Sequence, residues 1–94
     1  MYATIRRYAS AAGLADAVAA NREEILEIFG RIDGFRHYFM LATGGDSAVS
    51  ITVCEDRAGV EATNAAARDY IAQKLTDLTV DPPEVHVGEV AMHS

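Results

Sequence analysis

Apolar and polar positions along this chain follow two alternating periods, and the changes of period mark its elements. YATIRRY, from Tyr2 to Tyr8, is rich in β-favouring Tyr, Thr and Ile and predicts a first strand. On that strand Arg6 and Tyr8 share a face with Tyr2 and Thr4, and Arg7 faces the other way. The period then lengthens. Leu14, Val18, Ile25 and Phe29 recur at steps of four, seven and four, which predicts a helix capped by Ser10 and running to about Phe29. Glu23, Glu24 and Glu27 lie off that stripe, and Arg31-Ile32-Asp33-Gly34 ends it. A second strand follows from Phe35 to Thr43, and Gly44-Gly45-Asp46 signals a hairpin into a third from about Ser47 to Cys54. The third strand alternates cleanly, with Val49, Ile51 and Val53 on one face and Ala48, Ser50, Thr52 and Cys54 on the other. Asp56 can cap a helix from about Arg57 to Asp77, with Val60, Asn64, Ala67, Ile71, Leu75 and Leu78 as its stripe. Asp81-Pro82-Pro83 stops the helix, and Glu84 to His93 reads as the last strand.

The order is βαββαβ over residues 1–94, a single domain. It predicts an α+β, ferredoxin-like fold: a four-stranded antiparallel sheet with two helices on one face. The stretch GFRHYFML does not suit such a sheet standing alone. Phe35, Phe39 and Leu41 occupy one parity and Tyr38 and Met40 the other, so both faces carry large apolar groups. Two helices cover one face only, so either parity leaves an apolar set outside. Each such side chain is worth about 1.5–3 kcal/mol when buried, a sizeable share of a domain's roughly 5–15 kcal/mol. A second copy packed sheet to sheet, closing an eight-stranded barrel with a cavity between the sheets, would cover the set.

Composition narrows the function classes. Half of the residues are apolar and 23% are charged, the balance of a globular domain. A net charge of −6 with scattered basic residues argues against a nucleic-acid partner. No apolar run is long enough for a membrane span. MYATIRRY has no long apolar core of a signal peptide, so the expected location is cytoplasmic. Cys54 is the one cysteine, which excludes an intrachain disulfide and a cysteine-rich zinc site.

MYATIRRY, GFRHYFMLATGG and SITVCEDRAGVEATNAAARDYI together resemble the antibiotic biosynthesis monooxygenase (ABM)-like domains of the dimeric α+β barrel superfamily. The resemblance spans nearly the whole chain and implies a homodimer dimerising into an α+β barrel. It also implies a pocket in each subunit for a small aromatic or polyketide-like molecule, and oxidation of that molecule without a cofactor. The alternative it leaves open is a non-catalytic small-molecule-binding or structural homodimer. Haem degradation, the activity of other relatives, would need a His on the second helix, and none is there. The quinone-forming members use Asn, Trp, Tyr and Arg around the substrate. Asn64 and Tyr70 match the Asn and Tyr in type and helix; the chain has no Trp and no Arg after Arg68.

The residues themselves supply further candidates. His37 and His86 lie on strands, where a low-dielectric setting favours the neutral imidazole that serves as a general base; structural histidines fit the same positions. Asn64, in an apolar stripe, needs a hydrogen-bond partner and can take a substrate oxygen or tie helix to strand. Arg6 can hold a phenolate or carboxylate, or pair at the rim with one of 14 acids. Tyr8 lies on the same face as Arg6, and Tyr38 can donate to a ligand or serve as core. The expectation is therefore His37, His86 and Asn64 as catalytic residues, with Arg6, Tyr8, Tyr38 and Tyr70 against the substrate. No metal site is expected, because no His pair stands at i, i+4.

Overall fold

A computed structural model describes residues 1–94. Strands β1 (Tyr2–Tyr8), β2 (Phe35–Ala42), β3 (Ala48–Cys54) and β4 (Glu84–Glu89) form one sheet in the order β2-β3-β1-β4, with every neighbour antiparallel. Three helices cover one face: α1 (Leu14–Ala20) and α2 (Arg22–Gly30) pack over β2, and α3 (Arg57–Lys74) over β1 and β3. The fold is the ferredoxin-like one expected.

The expected first helix is two. It starts at Leu14 after Gly13, whose φ of 82° is a left-handed value that glycine adopts without strain, and Ser10 caps nothing. Ala11, buried at 2% exposure, pins the preceding loop, and its N–H donates to the carbonyl of Asp46 at 2.7 Å. At Asn21 the side-chain amide donates to the Ala17 carbonyl at 2.7 Å and ends α1. The helix resumes at once as α2, so Leu14, Val18, Ile25 and Phe29 still fall on one buried face. In α3, Asp56 caps as expected, accepting from the Gly59 N–H at 2.8 Å. The last strand stops at Glu89 rather than His93 because β1 is its only partner. Glu89 faces Tyr2, the first residue of β1, and the following Val90 N–H already bonds the Met1 carbonyl.

The faces of the sheet are settled by a bulge. Phe35 pairs with Cys54, but His37 pairs with Val53, so Arg36 is one residue in excess. The parity of β2 changes there. Phe35, Tyr38 and Met40 all turn toward the helices and pack against the core, where the Phe29 and Tyr38 ring centroids are 4.8 Å apart. Phe39 and Leu41 point the other way and stay 52% and 42% exposed.

The third strand is inverted relative to an ordinary amphipathic strand. Its small set, Ala48, Ser50, Thr52 and Cys54, is buried beneath the helices. Its branched apolar set, Val49, Ile51 and Val53, joins Phe39, Leu41 and Ile5 on the uncovered face. An antiparallel sheet of a lone domain puts its apolar side on the core. Here the helix side holds a polar row and the open side an apolar centre, edged by Arg7, Glu84, His86 and His37.

Candidate active site

The polar row beneath α3 is organised by one residue. Arg6 sits mid-strand in β1, between Ser50 of β3 and Val85 of β4, and is only 1% exposed. Its Nε donates to Ser50 Oγ at 2.8 Å, Nη2 to Thr52 Oγ1 at 2.5 Å, and Nη1 to Asn64 Oδ1 at 2.7 Å. Thr4 Oγ1 donates to the same Asn64 oxygen at 2.9 Å. The small residues of β3 leave room for the guanidinium, and Asn64 reaches it from the stripe of α3. Because a guanidinium only donates, it fixes which end of the Asn64 amide faces it and turns the NH2 away.

No carboxylate lies within ion-pair distance of this cation. Every salt bridge in the molecule is at the surface, among them Arg7–Glu84, Arg36–Glu55 and His86–Glu84. Burial pulls the Arg6 pKa below its ordinary value, with Tyr8 and Tyr38 acting the other way. Of the two readings of Arg6, pairing at the rim with an acid does not occur. The row of small polar residues on β3 supplies neutral acceptors in place of a counterion.

Beside this network a cleft of about 590 Å³ opens between α3, β1, β4 and the Pro82-Pro83 loop. Arg6, Tyr8 and Asn64 form its polar floor; Ile71, Leu75, Leu78, Val80 and Val85 form apolar walls; Arg68 and Asp81 also line it. Three of the expected site residues thus come together. The others do not. His86 lies on the opposite face of the sheet, exposed, with its Nε2 2.6 Å from Glu84 Oε1. His37 shares that face, its ring 6.2 Å from Phe39. Neither reaches Asn64 through the sheet, so the expected trio is not one site: the bulge sends His37 out, and pairing with Ile5 sends His86 out. Tyr38 and Tyr70 belong to the core, packed among Phe29, Ile25 and Leu14, and line the cleft nowhere. Ser50, Thr52 and Thr4 escaped the sequence reading, although the alternation of β3 shows a polar set that would need a partner wherever the helices covered it.

The buried tyrosines make a pH signature. Burial pushes Tyr8 up against the pull of the Arg6 charge, and pushes Tyr38 up to about 12. An unfolded tyrosine ionises near 10. Stability from the neutral Tyr38 phenol is therefore intact below pH about 10 and is lost as pH rises toward 12. Thermal melts across that window should fall more steeply for wild type than for Tyr38→Phe. A folded protein whose four tyrosines all ionise together near 10 would contradict the burial described.

No protein-family model matches the sequence, and no curated protein matches it. Solved structures do. NE2512, a protein of unknown function from Nitrosomonas europaea, is 22% identical with a TM-score of 0.73, over 99% of this chain and 91% of that one. SnoaB, a cofactor-independent oxygenase from Streptomyces nogalater, is 18% identical with a TM-score of 0.69, over 98% and 94%. The fold is that of the ABM-like proteins. A dimeric ferredoxin-like protein from an uncultured marine organism is similar in fold at 8% identity and a TM-score of 0.69, over 99% and 95%. At such identities the ABM-like likeness is one of backbone arrangement. No helix of the chain is long and apolar enough to cross a membrane.

Proposed function

We propose that two copies of the chain pack sheet to sheet, and that each binds a planar aromatic or polyketide-like molecule in its cleft and oxidises it with molecular oxygen without a cofactor. What supports the dimer is the apolar centre of the open face, with Phe39, Leu41 and Ile5 each more than a third exposed. What supports the site is the pairing of apolar walls with the donors of buried Arg6 and half-buried Asn64, the arrangement that holds a developing oxyanion. The ABM-like fold, shared with a protein described as a cofactor-independent oxygenase, supports the reaction class.

In this reading a phenolic substrate with an adjacent methylene loses a proton to solvent at the cleft mouth, and Arg6 and Asn64 hold the oxyanion. The carbanion passes one electron to oxygen, and the two radicals join to a carbon-bound peroxide. Loss of water leaves a carbonyl: R2CH2 and O2 give R2CO and H2O. The substrate supplies all the electrons.

Oxygen consumption with an anthrone is the test. Wild type should consume one O2 per quinone formed, and Asn64→Ala should lower kcat/KM by about a hundredfold. His37→Ala and His86→Ala should turn over normally, since both lie across the sheet from the cleft. A second reading, a binding protein without catalysis, is favoured by the absence of any histidine from the cleft. Binding without oxygen uptake would select it.

A further inference from the structure

We infer that the cleft selects molecules that bind as anions: the ligand brings an ionised oxygen acid, a carboxylate or an acidic phenolate or enolate, that acts as the missing counterion of Arg6. The inference rests on the proposal that the cleft binds an aromatic molecule, and names its class.

The donor count carries it. A guanidinium has five N–H bonds. Three are taken by Ser50, Thr52 and Asn64 and a fourth is directed at the Tyr8 hydroxyl, which leaves one without a protein partner on a side chain that is 1% exposed and lines the cleft. Asn64 spends its oxygen on Arg6 and Thr4, so its NH2 is the end left for a ligand. Arg6 and the Asn64 NH2 therefore present donors only, and the Tyr8 hydroxyl beside them can donate or accept. The hydroxyls of Ser50 and Thr52, which could accept a neutral ligand's proton, are buried beneath Arg6 and do not line the cleft. A neutral amide's N–H would find no acceptor on Arg6 or the Asn64 NH2, and only the single Tyr8 hydroxyl could take it. An anionic oxygen accepts from all of them, in charge-assisted bonds.

Charge points the same way. The chain carries −6 overall, yet no acid was placed against its most buried cation. The other charged groups facing the cleft are Arg68 and Asp81. Arg68 is exposed and 3.5 Å from Asp69, and Asp81 is exposed, so solvent screens both. Arg6 is the one charge there sheltered from water.

Two probe pairs test this on the full chain. The first is 2-naphthoate against 2-naphthamide, matched in shape and differing in charge at neutral pH, titrated calorimetrically. Naphthoate should bind roughly tenfold or more tighter, the scale of one charge-assisted hydrogen bond. The second is 4-nitrophenol, whose absorbance reports ionisation; its bound form should ionise at a lower pH than the free dye. A naphthoate preference supports a carboxylate ligand, and a shifted nitrophenol supports a phenolate or enolate. Arg6→Gln, if folded by circular dichroism, should erase whichever preference wild type shows; one that survives it would overturn the role of Arg6. The wild-type comparisons stand without the variant. Equal binding of acid and amide together with an unshifted dye would overturn the inference and leave the aromatic cleft intact. Failure of every probe to bind would overturn both.

Discussion

Phe39→Asp is expected to leave the chain as a single-copy particle in light scattering at micromolar concentration, where wild type scatters as two. Phe39 is the most exposed large apolar side chain within the sheet and points away from the helices beside Leu41 and Ile51. In a two-fold interface every residue occurs twice, so the substitution removes two aromatic contacts and inserts two carboxylates. Leaving an ion in an apolar contact costs several kcal/mol after relaxation. Counted twice, that weakens association by about a thousandfold at least. The monomer's own core is untouched, because Phe39 contributes nothing beneath the helices. Unchanged dimer mass and dissociation constant in Phe39→Asp would mean that this face is not the contact.

Arg6→Ala is expected to cost about 2–4 kcal/mol in denaturant unfolding. A buried stem of this length leaves a void, and voids from truncation cost on that scale. The acceptors on Ser50, Thr52 and Asn64 also lose their donor. Removing a desolvated cation gives some of this back. Arg6→Met, which fills the volume without the charge, separates the contributions. If the guanidinium is held at a cost for a ligand's sake, Met should recover at least half of the loss. A Met variant as unstable as the Ala variant would show instead that the three hydrogen bonds are a structural brace. Either way the effect is a large fraction of a domain's roughly 5–15 kcal/mol.

The architecture was legible because period and punctuation agreed. YATIRRY, the Gly44-Gly45 turn and the Asp56 cap each formed the element they point to, and the Leu14–Val18–Ile25–Phe29 stripe formed as one face shared by two helices. What stayed hidden was set by tertiary pairing. Gly13 delays the start of the first helix and Asn21 divides it, through backbone states that apolar spacing does not register. The β4 terminus depends on where β1 begins, a long-range fact. The site was half visible. Arg6 and Asn64 could be picked out as polar residues in apolar company, but their contact joins positions 58 residues apart. His37 and His86 looked equally eligible, because chemistry is read from residue type and facing from register. One added residue in β2 was enough to send His37 across the sheet.

That added residue, Arg36, acts as a switch of allegiance. A strand bearing large apolar groups on both sides has two registers that would each bury a respectable set, and composition hardly prefers one. Straightening the bulge with every residue kept, so that Arg36 pairs with Val53, would ask Phe39 and Leu41 to serve the chain's own interior and turn Tyr38 and Met40 outward. The molecule would then present a stranger's surface to a second copy and a misfitted wall to Phe29. Self-recognition and self-containment in this chain are thus allotted by a single peptide unit.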